Sequence, residues 1–267
     1  MNYFFSIITV NLNNAVGLTK TVSSVFNQTF KNFEYIIIDG GSTDGSVELI
    51  NEYSSKINYC MSEKDNGIYD AMNKGIAKAN GKYLLFLNSG DFLFNESVLQ
   101  TVFNNSPAED VLYANVMLMK EEQELRPKTY PEKLTDYFLL TDNLAHQSQF
   151  ISAALFDKIG FYDVGYEIVS DYDFFIKAYY KHHISYRHLN FITTAYNLDG
   201  LSAKQESVKT INAERLRIQK KYMPAMLVFI YHTYAALLNS GVYNNKAVKS
   251  FVTFIRNLIF KFLKPQS

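Results

Sequence analysis

Three times in fewer than ninety residues, a short apolar run gives way to a polar turn and then to helical spacing, and this alternation confines the chain to an α/β fold built on a parallel sheet. Residues 4–10 predict the first strand, and Asn11-Leu12-Asn13-Asn14 is a turn opening a helix over 18–26. Residues 33–38 predict the second strand. The loop from Asp39 to Gly45 follows, with Ser42 or Thr43 placed to cap a helix over 46–53. A third strand over 57–62 leads to a helix over 68–79 with Ile68, Met72, Ile76 and Ala79 on one face, and Gly81 breaks the pattern before a strand over 82–87.

The pattern then loosens. A helix over 96–104 and a strand over 111–119 precede the polar stretch 120–133, which reads as an insertion or a hairpin. A strand over 150–152, a helix over 153–159 and a helix over 172–180 come next. A charged helical segment, 207–221, is ended by Pro224, and two apolar helices are predicted over 225–238 and 246–263. A chain of 267 residues with 48% hydrophobic content suits one large α/β domain with an appendage. The single cysteine, Cys60, makes no internal disulfide, and no positive region precedes the apolar amino terminus. Both features point to the cytoplasm.

Three carboxylates fall where such a sheet binds ligands, beyond the carboxyl ends of its strands. Asp39 closes Tyr35-Ile36-Ile37-Ile38, Asp91 follows Tyr83-Leu84-Leu85-Phe86-Leu87, and Asp171 lies in Ser-Asp-Tyr-Asp-Phe-Phe. Together they suggest a site for a metal-bound nucleotide diphosphate. An ionised Asp39 is acceptor-only and matches the imide N–H of uracil, although Asp-Gly-Gly alone also reads as an ordinary turn. Asp91, in Asn88-Ser89-Gly90-Asp91, suits Mg²⁺ or Mn²⁺ with diphosphate oxygens completing the shell, or else caps a turn. Asp171 suits a general base or a helix N-cap, and the two roles are compatible.

Six segments in order give the chain a resemblance to the inverting family 2 glycosyltransferases of the GT-A fold. They are 6–11, 23–30, 34–45, 65–76, 81–91 and 170–173. The resemblance implies a GT-A domain over 1–220, with a nucleotide-binding half over about 1–95, an acceptor-binding half over about 96–220, and a basic amphipathic helical extension over 221–267. It further implies that Thr9 and Asn11 line the nucleotide pocket, that Asp39 contacts the base, and that Asp65, Asp70 and Asn73 lie near the nucleoside. Asp91 would hold the Mn²⁺ or Mg²⁺, Asp171 would be the catalytic base, and His146, Gln147, Tyr172, Asp173 and Ser202 would lie on the acceptor or diphosphate side. The chain departs from the family where many members carry further acids: it has Gly40, Gly90 and Ser170. Lacking tryptophan, it has no Gln-x-x-Arg-Trp signature of processive synthases, so a single addition is expected.

The implied partners are a nucleotide-sugar donor, UDP-linked by preference, and a glycan or lipid-linked oligosaccharide acceptor. Two other readings stand beside this one: a sugar-nucleotide pyrophosphorylase, and a membrane-recruited nucleotide-binding module without catalysis. The first usually needs a Gly-rich, basic loop after the first strand, which Asn11-Leu12-Asn13-Asn14 does not supply. A formal net charge of zero hides an asymmetry: residues 201–267 hold eleven Lys and Arg against two Glu, and the acidic first 200 residues balance them. Nucleic acid is a poor partner for that acidic body. In 246–263 the apolar residues recur at helical spacing between Lys249, Arg256 and Lys261. Such a helix lies on an anionic bilayer at the cytoplasmic face, or packs on the body or on a second copy in a homodimer.

Overall fold

A computed structural model describes residues 3–121, 123–198 and 206–239. One sheet runs through them in the order β3-β2-β1-β4-β8-β6-β9-β5, with β7 paired to β6. Its first half is parallel: β1 (Phe5–Asn11) lies between β2 (Phe33–Asp39) and β4 (Tyr83–Phe86), and β3 (Tyr59–Ser62) adds to β2. The helices α1 (Ala15–Phe26), α2 (Ser46–Glu52) and α3 (Ile68–Ile76) are the crossovers. Adjacent strand residues face opposite layers. Ile7, Tyr35, Ile37 and Leu85 join one buried cluster, while Ile8, Ile36, Ile38 and Phe86 join the other. Covering on both faces is why these strands read as unbroken apolar runs. Gly81 is required by close approach, since a Cβ there would sit 2.6 Å from the Phe5 carbonyl carbon.

The second half is mixed. β8 (Gln149–Ser152) runs antiparallel to β4 and to β6 (Val111–Lys120), and β6 hairpins into β7 (Gln123–Lys128), so the polar stretch is a hairpin. Three elements carry no clear sequence signal: the two-residue β5 (Phe92–Leu93), α5 (Asp136–Thr141) and the twelve-residue β9 (Tyr186–Asn197). β9 runs parallel to β6 with register shifts between Ala114 and Val116. Those irregularities scramble the in-out alternation that marks a strand. The remaining helices are α4 (Val98–Asn104), α6 (Ala153–Ile159), α7 (Ser170–His182), α8 (Ser207–Tyr222) and α9 (Ala225–Asn239).

Two expected caps are corrected. The N-cap of α2 is Gly45, and Asp44 Oδ1 accepts the Ser46 N–H at 3.1 Å, because Ser42 is turned onto Asp39 instead. The N-cap of α7 is Val169, which places Asp171 inside the first turn rather than at the cap. Ser202 and the expected helix 246–263 lie outside the described residues.

Candidate active site

The carboxyl ends of the central strands open onto a cavity of about 590 Å³, within the range of small-molecule sites. Asp91 and Asp171 both line it. Asp91 follows β4 in a turn pinned to α1: the Thr21 hydroxyl donates to the Asp91 carbonyl at 2.7 Å and accepts the Gly90 N–H at 3.0 Å. Gly90 has φ +103°, a left-handed conformation in which a side chain would be strained, so a second acid does not fit this turn. The Asp91 carboxylate is buried. Its Oδ1 accepts the Asn197 N–H at 2.8 Å, and its Oδ2 accepts from Gln147 Nε2 at 2.9 Å. Burial pushes the carboxyl up to about 6, opposed by those two hydrogen bonds and by nearby His146.

Asp171 is supplied to the cavity wall by the first turn of α7, where the helix N-terminus favours a carboxylate. His146 Nδ1 lies 3.0 Å from its Oδ2, and the Tyr69 hydroxyl lies 3.1 Å from its Oδ1 while also donating to the Ile168 carbonyl at 2.5 Å. Asn88 Nδ2 is 3.1 Å from His146 Nε2. His146 and Gln147 are adjacent residues of one 3-10 turn, His146–Ser148. One grips Asp171 and the other Asp91, so a single turn sets the spacing between the two acids.

Of the predicted site residues, Asp91, His146, Gln147, Asp171 and Tyr172 line the cavity, while Thr9, Asn11, Asp39, Asp65, Asp70, Asn73 and Asp173 are outside its lining. Asp39 ends β2 beside it and is buried. It accepts from Asn11 Nδ2 at 2.7 Å, from the Ser42 and Ser62 hydroxyls at 2.6 Å each, and from the Gly41 and Ser42 N–H groups at 3.1 and 2.9 Å. Burial raises its pKa, but the hydrogen bonds led by Ser42 and Ser62 outweigh it and hold the carboxyl below its usual range. Thr9 is buried against the Tyr35 hydroxyl at 3.0 Å. Asn73 clasps the Tyr162 backbone with both ends of its amide, at 2.9 and 3.0 Å. Asp70 accepts the Asn66 N–H at 3.0 Å and lies 3.6 Å from Lys74 Nζ. Asp65 takes up the space beside Gly40, where an added Cβ would meet its Oδ2 at 2.6 Å, so the missing acid at 40 has a neighbour in its place. Asp173 is buried toward α8, 3.9 Å from Lys221 Nζ, and burial raises its pKa.

Among the described residues no group of three His, Cys, Asp or Glu forms a metal cage. The donors present still fit a cation shared with a diphosphate. Asp91 is a buried carboxylate whose ionised form an adjacent positive charge would favour, and Asn88 Oδ1, in the same turn, is buried without a hydrogen-bond partner. An all-oxygen set of this kind suits Mg²⁺ or Mn²⁺ with phosphate oxygens and water filling the remaining positions.

Sequence reasoning missed Asn14, Tyr69, Lys128, Asn197 and Arg215, all in the cavity wall. Asn14 caps α1 through Oδ1 and reaches the Ser89 carbonyl from Nδ2 at 3.0 Å. Its place in a strand-to-helix turn was the only local signal. Asn197 and Arg215 come from β9 and α8, whose approach to the site is tertiary.

The sequence pattern of the family described as "Glycosyl transferase family 2" matches residues 6–161. A Mycobacterium bovis protein named "PGL/p-HBAD biosynthesis glycosyltransferase" is 31% identical over 205 residues, covering 74% of this chain and 78% of that one. Among solved structures, Staphylococcus aureus TarS 1-349 in complex with UDP-GlcNAc superposes with TM-score 0.63 at 19% identity, over 100% of this chain and 74% of that one. A Pyrobaculum calidifontis mannosyltransferase in complex with GDP-Man and Mn²⁺ gives TM-score 0.57 at 12% identity, over 97% and 86%. The fold is the GT-A fold of these enzymes.

Proposed function

The chain belongs to glycosyl transferase family 2, and from that premise we propose an inverting transfer of a sugar from a UDP-linked donor to a hydroxyl of a glycan or lipid-linked oligosaccharide. The observation that carries this reading is the 3-10 turn that ties Asp91 and Asp171 to one cavity through adjacent side chains. The preference for UDP follows the UDP and UDP-GlcNAc bound by TarS.

In this mechanism Asp171 takes the proton of the acceptor hydroxyl as that oxygen attacks the anomeric carbon, and the bond to the diphosphate breaks on the opposite face. His146 Nδ1 holds Oδ2 and the Tyr172 N–H donates to Oδ1 at 2.9 Å, so the base meets the hydroxyl without a search through rotamers. Asp91 and Asn88 would hold Mg²⁺ or Mn²⁺, which supplies charge neutralisation to a departing nucleoside diphosphate. Asp39, with Asn11 and Asp65, shapes the neighbouring shelf on which the base would rest. Work at the cytoplasmic face of an anionic membrane is supported by exposed Met226 and Phe229 on α9 and by the basic carboxyl-terminal sequence.

The test is donor-dependent release of nucleoside diphosphate. Asp171→Asn is expected to lower turnover by about 10²–10⁴-fold, the usual worth of a general base, with the thermal melt and UDP affinity retained. Undiminished turnover in that variant would remove Asp171 from the reaction.

A further inference from the structure

We propose that the cavity ends in an oxyanion-binding corner made by Arg215 and Lys128, which selects an acceptor carrying a phosphate or carboxylate beside its reacting hydroxyl; this rests on the glycosyl-transfer reading above. Both cations line the cavity and converge on residue 142. Arg215 Nη2 donates to the Asp142 carbonyl at 2.9 Å and to the Leu140 carbonyl at 3.3 Å, and Lys128 Nζ lies 2.7 Å from Asp142 Oδ1. Two positive groups thus meet at one residue, Lys128 at its carboxylate and Arg215 at its backbone carbonyl.

The carbonyls of Leu140 and Asp142 end α5, so capping that helix accounts for Nη2. It accounts neither for the second cation at the same residue nor for the way the guanidinium is presented. Arg215 lies 4.5 Å over the Tyr172 ring, which fixes its plane, and no carboxylate among the described residues forms an ion pair with it. A planar guanidinium with further N–H donors matches the paired oxygens of a phosphate or carboxylate. The Lys128–Asp142 pair is partly exposed and therefore weakly held, which leaves the ammonium able to turn to a ligand.

Location identifies the occupant. Contacts run from Asp91 through Gln147 and His146 to Asp171, and from the adjoining Tyr172 onward to Arg215. The base therefore lies between the leaving-group end and the corner, and a group held at Arg215 belongs to the molecule whose hydroxyl the base deprotonates. Elsewhere the wall carries Asp91, Glu167 and Asp171, which would repel an anionic acceptor unless a cation received it.

Calorimetry on the full chain preloaded with UDP and Mn²⁺ tests this, with glycerol 3-phosphate and glucuronate as probes and glycerol as the neutral control. At least one anion is expected to bind while glycerol does not. Arg215→Gln is expected to weaken that binding by about tenfold or more, Lys128→Gln by severalfold, and Arg215→Lys less than Arg215→Gln, because the fork is lost but the charge kept. UDP affinity should stay within about twofold in all three, since the proposal gives the corner to the acceptor and not to the donor phosphates. The proposal is overturned if neither anion binds, if both variants bind it as wild type does, or if the variants lose UDP rather than the probe, which would give the cations to the donor. Should Arg215→Gln not fold, Lys128→Gln decides alone. Failure of wild type to bind UDP, GDP or dTDP at all would instead sink the glycosyl-transfer reading, and the probes would then be scored on the ligand-free chain.

Discussion

At the residue scale, Asp39 and Asp91 close the two strands that flank β1, yet burial leaves them with opposite shifts. Asp39 is held below its usual range because hydroxyl and N–H donors more than replace lost water; Asp91 is pushed up to about 6 because two donors do not. For Asp91 the native state holds its proton more tightly than the unfolded chain, so its contribution to stability is full below the unfolded pKa of 3.8 and is lost as pH rises toward 6. Asp39 has the reverse sign: its contribution is present above the unfolded value and is lost as acid titrates the folded carboxyl. Asp91→Asn is therefore expected to stabilise the ligand-free protein at pH 8 by on the order of 1–2 kcal/mol, less than the full burial term because an amide mismatches Gln147, while activity falls sharply. Urea melts at pH 4 and pH 8 check it: the gain should vanish at the lower pH, and an equal gain at both would show that ionisation is not its source. The positions of Asp91 and Asp171 in the cavity wall were legible only in combination, because an acid after a buried strand or at a helix start is by itself also an ordinary turn or cap residue. Asn88 and Tyr69 were not, since their partners His146 and Asp171 are 58 and 102 residues away in sequence.

At the scale of elements, α8 acts as a staple across the second half. Glu214 accepts the Glu167, Ile168 and Val169 N–H groups at 2.7, 3.1 and 3.3 Å, the strap that leads directly into Asp171. Its neighbour Arg215 holds the end of α5. An acid is thus set against a helix start and a base against a helix end, the pairing that helix dipoles favour. Glu214→Gln keeps one acceptor oxygen and gives up the charge, so the strap should loosen and Asp171 lose its aim. The expected result is a fall in kcat of about tenfold, UDP affinity unchanged, and faster amide exchange at 167–169, with Glu214→Asp recovering part of kcat. A fall in kcat with no change in exchange would assign Glu214 some other role. None of this was readable from the chain, although the parallel half was: β1, β2 and β4 are covered on both faces and announce themselves as apolar runs. β9 pairs irregularly and is half-exposed through much of its length, and α8 reads as any charged helix until its partners are known. Local pattern records burial, whereas these elements are defined by what they reach.

At the scale of the whole molecule, positive charge is concentrated toward the carboxyl-terminal end of the sequence, where α9 also exposes apolar side chains. α9 packs Leu227 and Val228 inward and turns Met226 and Phe229 outward, 66% and 71% exposed, on a helix without Asp, Glu, Lys or Arg. Arg217, Lys220 and Lys221 are exposed on the preceding α8, and five further Lys and Arg follow in sequence. Among the described residues no helix is long and apolar enough to cross a membrane; the membrane contact proposed above is that of an interfacial surface. Apolar side chains that enter the interface add their transfer energy to an electrostatic term of about 1 kcal/mol for each basic residue close to the headgroups. Neither contribution alone holds a protein firmly, and their sum explains why both should be needed. The full chain is expected to co-sediment with vesicles containing phosphatidylserine but not with phosphatidylcholine alone, and to be released toward 1 M salt, where the Debye length shrinks to about 3 Å. Replacing Met226 and Phe229 with Asp should weaken binding by about tenfold or more while the melt is preserved, because both side chains already face water. Equal binding to neutral vesicles would leave the basic surplus without a part in it, and binding undiminished in the double variant would transfer the anchor from α9 to the residues beyond it.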